Sequence, residues 1–141
     1  MFDEDYSLRL QAWHDFRSDL ESHADPFQHV IDMYQSVPQV SIHTDAWDQK
    51  TWPQPWELIS ENQYCAFCTV LGMCYSLQLT DRFKEASAEI HICIDRENNE
   101  LYYLLIIEDR IIGYEPDTHI AKSDLPENII SQRVYHMSGL H

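Results

Sequence analysis

Cys65, His91 and an acid at the end of a later strand, Glu115 or Asp117, are the residues whose types and order suit covalent chemistry. A cysteine thiolate attacks a carbonyl carbon. A histidine within hydrogen-bond reach takes the thiol proton and returns it to the leaving group. A carboxylate on the other ring nitrogen fixes the histidine tautomer. With Asn62 read as an N-cap, Cys65 falls in the first turn of a helix, where free N–H groups and the helix dipole favour a thiolate. His91 stands in a strand and points away from Ile90, Ile92 and Ile94. If that polar face meets the helix, His91 reaches Cys65, and Glu115 or Asp117, one strand further over, orients it.

Other chemistries are weaker. Cys65-Ala66-Phe67-Cys68 is a CxxC, and His91 with Cys93 would complete a zinc set. Structural zinc pairs sit on a knuckle rather than in a buried helix, and a second CxxC or CxxH is missing. A thioredoxin-like dithiol is disfavoured because no βαβ unit precedes the motif. Gly72, Gly113 and Gly139 are isolated, so no glycine-rich loop is available to cradle a phosphate. The other histidines lack ligand spacing, and Asp3-Glu4-Asp5 reads as a solvated helix start. No metal and no cofactor is expected. Each candidate also has a plain reading: Cys65 as an inert core thiol, His91 as a satisfied surface histidine, Glu115 and Asp117 as turn residues around Pro116.

The elements that would position these residues follow from periodicity. Tyr6, Leu10, Trp13, Phe16 and Leu20 recur at helical spacing. Asp25-Pro26 starts a second helix, with Asp25 as N-cap, and Pro38 closes it, so residues 3–36 read as helical. Val40-Ser41-Ile42-His43 reads as a short extended piece. A loop over 44–56 carries three tryptophans, which most often plug a core edge, and Pro55 to Ile59 begins a short helix. Residues 63–79 form the most apolar helix. It carries a stripe of small residues (Cys65, Thr69, Gly72, Ser76), and Gly72 weakens a helix unless another element packs there. From Ile90 the period becomes two. Three strands, ending near Glu115, form an antiparallel meander over 88–116, the middle one (Leu101 to Ile107) covered on both faces. The tail, 118–141, reads either as a capped helix from Asp124 or as an edge strand, IISQRVYHM. Helices followed by strands predict a single α+β domain, a helical N-terminal part packed on a small antiparallel sheet.

The chain has 141 residues with 24 Asp+Glu against 9 Lys+Arg, a net charge of -15. An apolar share of 44% is too high for a disordered acidic tail, so the acids belong on the surface of a folded body. Such a surface disfavours direct binding to nucleic acid or to an anionic membrane. It suits a protein partner, a role as nucleic-acid mimic, or plain solubility. The start, MFDEDYSLRL, lacks the apolar core of an export signal, so the four cysteines are expected as reduced thiols. The oligomeric state is left open.

Cysteine at a helix start, histidine on a strand and an acid closing a following strand resemble the transglutaminase-like superfamily, a branch of the papain-like cysteine enzymes. The resemblance runs over PWELISENQYCAFCTVLGMCYSLQLTD, EIHICID and RIIGYEPDTH. It implies Cys65 as nucleophile, His91 as base, Glu115 (with Asp117 as second choice) as orienting acid, and Gln63 with the Cys65 N–H as an oxyanion hole. The chain departs from the family where Asn62-Gln63-Tyr64 replaces the usual glycine before the nucleophile, and where Ile92 and Cys93 follow the histidine. The segments WPQPWELI, YSLQLTDRF and GYEPDTHI are similar to proteins of T4-like phages of marine and cyanobacterial hosts, which implies the host cytoplasm or the virion as location. The resulting expectation is a non-catalytic or weakly active phage protein, acting as a virion component or as a modulator of a host partner. The alternatives are a cysteine-dependent acyl transferase or amidase and an acidic nucleic-acid mimic.

Overall fold

The computed structural model describes residues 1–40 and 44–137. Of the extended piece expected over 40–43, only Val40 lies within the described residues, and the tail is described as far as Met137.

Helix α1 spans Tyr6–Leu20 and is capped by Asp5, whose carboxylate accepts the Leu8 N–H. Helix α2, Pro26–Tyr34, begins as the sequence predicts, with Asp25 accepting the Gln28 N–H and Pro26 in the first turn. Helix α3 is Pro55–Glu61, opened by a Gln54/Glu57 capping box. Helix α4 is Ala66–Gln78 and is buried along most of its length. Among the described residues no helix is long and apolar enough to cross a membrane.

The sheet contains β1 (Ala88–Asp95), β2 (Leu101–Ile107), β3 (Arg110–Ile112), β4 (Ile120–Ala121) and β5 (Ile129–Met137), all antiparallel, in the order β4-β3-β2-β1-β5. The fold is α+β. The segment IISQRVYHM takes the strand form and pairs with β1, so β1 is an interior strand. Its register slips once, between Ile92 and Cys93.

Strand alternation divides the core. Ile90, Ile92, Leu105, Ile107 and Ile112 join the helices in the main core. Cys93, Leu104, Ile106, Ile111 and Ile129 form a smaller cluster on the other face, covered in part by Tyr102, Tyr114, Ile120 and Leu125. The 44–56 loop divides its tryptophans. Trp52 is buried against Phe67 and Tyr135, with ring centroids 4.8 and 4.6 Å away, whereas Trp47 and Trp56 are 46% and 58% exposed.

Candidate functional site

The start of α4 is built differently from the sequence expectation. Asn62 has φ 54°, a left-handed residue that ends α3 rather than one that starts α4. Tyr64 then enters a parallel bridge with Gln39: its N–H donates to the Pro38 carbonyl and its carbonyl accepts the Val40 N–H, both at 3.1 Å. The N-cap of α4 is therefore Cys65 itself, in extended conformation, and its sulfur accepts the Cys68 N–H at 3.5 Å. Burial opposes a thiolate at Cys65. The N–H groups of Cys68, Thr44 and Phe67, with the Cys68 side chain, outweigh that opposition and hold the thiol below its ordinary range. Cys68 moves the other way, raised by burial and by the neighbouring Cys65. Its thiol donates to Thr44 Oγ1 at 3.1 Å.

Cys65 belongs to the main core, on the helix side of the sheet. Tyr103, opposite Ile92 in the β1–β2 register, faces that side and packs edge-on against Phe67 at 5.3 Å. Burial raises its phenol, and negative charge on Cys65 and on Asp45 raises it further. Tyr103 is thus a protonated phenol on the same side of the sheet as Cys65.

His91 lies on the opposite face. Its Nδ1 is 2.7 Å from Ser131 Oγ and its Nε2 is 2.9 Å from Glu89 Oε1. The second Glu89 oxygen meets His136 Nδ1 at 3.1 Å. These contacts hold the Glu89 carboxyl below its usual range, the hydrogen bond with His91 being the largest cause. The structure does not bring Cys65 and His91 together, and the reason is burial. The apolar α4 packs on the sheet face that carries the β1 isoleucines, chiefly over β2, which turns the face of Glu89, His91 and Cys93 away. The same division separates Cys65 and Cys68 from His91 and Cys93, so the zinc set of the sequence reading does not assemble. Among the described residues no group of three or more His, Cys, Asp or Glu is placed to hold a metal ion.

Glu115 does approach α4. The chain leaves β3 through Gly113, whose φ of +112° and contact with the Tyr103 carbonyl leave no room for a side chain. Glu115 then lines a cleft of about 370 Å³ together with Thr69, Gln39 and Gln35, over a floor that includes Tyr34 and Met73. Hydrogen bonds strap this loop to α2. Gln35 donates to the Pro116 carbonyl at 2.9 Å and Gln28 to the Asp117 carbonyl at 2.7 Å. Arg110 Nε donates to His119 Nδ1 at 2.8 Å, which leaves the His119 Nε2–H to bind both oxygens of Asp25, at 3.0 and 3.1 Å. Asp117 contributes a backbone carbonyl to the strap and its residue is exposed. Gln63 is exposed in the link between α3 and α4.

Two site residues escaped the sequence reading. Thr44 carries no pattern signal. Tyr103 belongs to a strand that reads as apolar throughout, yet strand alternation puts Tyr103, and not Tyr102, on the face of Leu105 and Ile107. In comparisons with known proteins the chain matches no family model and no curated protein.

Proposed function

We propose that the protein is a non-catalytic protein of transglutaminase-like architecture that acts by binding a protein partner, as a phage virion component or a modulator of a host protein. The observation that carries this reading is that His91 and Cys65 lie on opposite sides of the sheet. Acyl transfer through a thioester needs a base that takes the thiol proton and returns it near neutral pH. His91 is engaged by Ser131 and Glu89 on the far side of the sheet, and on the Cys65 side Tyr103 carries a raised phenol. The Cys-bearing helix, the antiparallel sheet and Glu115 at the cleft are features that such an architecture would share, and they lack the proton shuttle. The surface charge favours a partner with a basic face, and the exposed Trp47 and Trp56 offer aromatic anchors of the kind that dominate binding energy.

The test separates chemistry from binding. The wild-type protein and C65A are offered activated acyl esters and glutamine amides with hydroxylamine as acceptor at pH 7, and both should give only the uncatalysed rate. Turnover that disappears in C65A would replace the binding role with cysteine-dependent acyl transfer. Association with purified phage particles or with immobilised host proteins should survive C65A and weaken at least about tenfold in W47A/W56A, as expected for lost aromatic anchors. Equal association by the tryptophan variant would remove that surface from the proposal.

A further inference from the structure

We infer that Cys65 and Cys68 form a redox-active dithiol that closes to a disulfide when it meets a small hydroperoxide. The proposal is independent of the binding role. The CxxC occupies the N-cap and third position of α4. Helix geometry sets such Cα atoms about 5 Å apart, within the span a disulfide bridges. Cys65 sulfur accepts the Cys68 N–H at 3.5 Å, which sets it against the backbone of its partner, and the Cys68 thiol donates to Thr44 Oγ1 at 3.1 Å. This chemistry needs a helix end and a paired thiol; it does not need the βαβ unit whose absence disfavoured it in the sequence.

The two sulfurs have different roles. Cys65 sulfur caps the start of α4 by accepting the Cys68 N–H, and its thiol is held below the ordinary range, so Cys65 is the attacking thiolate. Cys68, held as a thiol, is the resolving partner. The other cysteines lack this arrangement. Cys74 is enclosed, bonded to Gln78 and pushed up to about 12 by burial, and Cys93 lies on the far face beside Ser131. Cys65 and Cys68 are each only 3% exposed, which selects a reagent as small as hydrogen peroxide over a bulky disulfide.

The step balances. Cys65 thiolate attacks one peroxide oxygen, an S–O bond forms, the O–O bond breaks, and the departing hydroxide takes the Cys68 proton to become water. Cys68 thiolate then attacks Cys65 sulfur, the S–S bond forms, the S–O bond breaks, and the second hydroxide is protonated from solvent. Two thiol sulfurs are oxidised, one peroxide is reduced, and two waters result. Closure withdraws Cys68 from Thr44 Oγ1 at the start of α4.

The folded protein is treated with equimolar hydrogen peroxide at pH 7, quenched with an alkylating agent in denaturant, and mapped by mass spectrometry. The peptide holding both residues should lose about 2 Da, at a rate about tenfold above the loss of the Cys74 and Cys93 thiols. The bridge should persist in C74S/C93S and vanish in C65S and C68S. C68S should instead accumulate a sulfenic acid on Cys65, trapped by dimedone. Sulfinic acid on Cys65 of the wild-type protein with no 65–68 bridge would overturn the proposal. So would bridge formation that proceeds no faster in the folded protein than in urea. Neither result depends on whether the acyl-transfer assay is silent.

Discussion

Ser76 is fully buried in the middle of α4, where an unsatisfied hydroxyl would be costly, and its bonding is complete. Its single hydrogen goes to the Gly72 carbonyl at 2.9 Å. Its two lone pairs then accept the Trp13 indole N–H and the Tyr34 hydroxyl, each at 2.9 Å, which fixes Tyr34 as a donor. Burial pushes the Tyr34 phenol up to about 12, so the donor keeps its proton at neutral pH. One oxygen therefore joins α1, α2 and α4. Ser76→Ala should cost roughly 2–6 kcal/mol, because it strands two buried donors at about 1–3 kcal/mol each. Urea unfolding measures it. In a double-mutant cycle, Tyr34→Phe should recover part of the loss in the Ser76→Ala background, since it removes one stranded donor. A loss below about 1 kcal/mol would mean that another acceptor replaces Ser76. The sequence marks Ser76 only as a small residue in a stripe; its acceptor role depends on two residues more than forty positions away.

At the scale of elements, that stripe sets how closely α2 and α4 approach. A Cβ on Gly72 would come within 2.7 Å of Tyr34 Cε2. Tyr34 has little freedom to yield, since Ser76 holds its hydroxyl and Phe2 packs edge-on at 5.4 Å. Gly72→Ala gains about 1 kcal/mol of helix propensity but overpacks at a cost of about 1–3 kcal/mol. The expected net result is a lower urea midpoint with unchanged slope; a raised midpoint would show that Tyr34 can move aside. The stripe, the Asp25-Pro26 helix start and the meander were legible in the sequence because local pattern dictates each of them. The start of α4 was not, because Asn suits both an N-cap and a left-handed helix end, and the bridge between Tyr64 and Gln39 decides between them. Nor was the way β1 faces. Alternation shows that Glu89, His91 and Cys93 share a side, but only the packing of α4 on the isoleucines determines which side meets Cys65. The choice of face decides whether a nucleophile meets its base, and His91 lies on the face turned away from Cys65.

Across the whole molecule, the acid excess is only locally compensated. The arginines are used mainly to bind carbonyls. Arg9 reaches the carbonyls of Glu4, Ile59 and Ser60, and Arg82 those of Leu20 and His23, so they join α1 to α3 and to the segment after α4. Carboxylates instead meet histidines: Asp19 with His29, Asp25 with His119, and Glu89 with both His91 and His136. Glu89 and Asp25 are both depressed, Glu89 chiefly by its histidine bond and Asp25 by its Gln28 N–H and His119 bonds in opposition to burial. The sign of their contribution follows from linkage. A carboxyl whose folded value lies below its unfolded one stabilises fully above the unfolded value, about 4, and loses that contribution as pH falls through the folded value. Protonation of the unpaired acids works in the opposite direction by relieving repulsion, and added salt screens that second effect more strongly than the partly buried pairs. At high ionic strength the thermal midpoint should therefore hold from pH 6 to about pH 4 and fall below it. Glu89→Gln should begin lower at pH 6 and fall less steeply, because the substituted side chain no longer titrates. If the variant kept the wild-type slope down to pH 3, the Glu89 cluster would not be a source of the acid sensitivity.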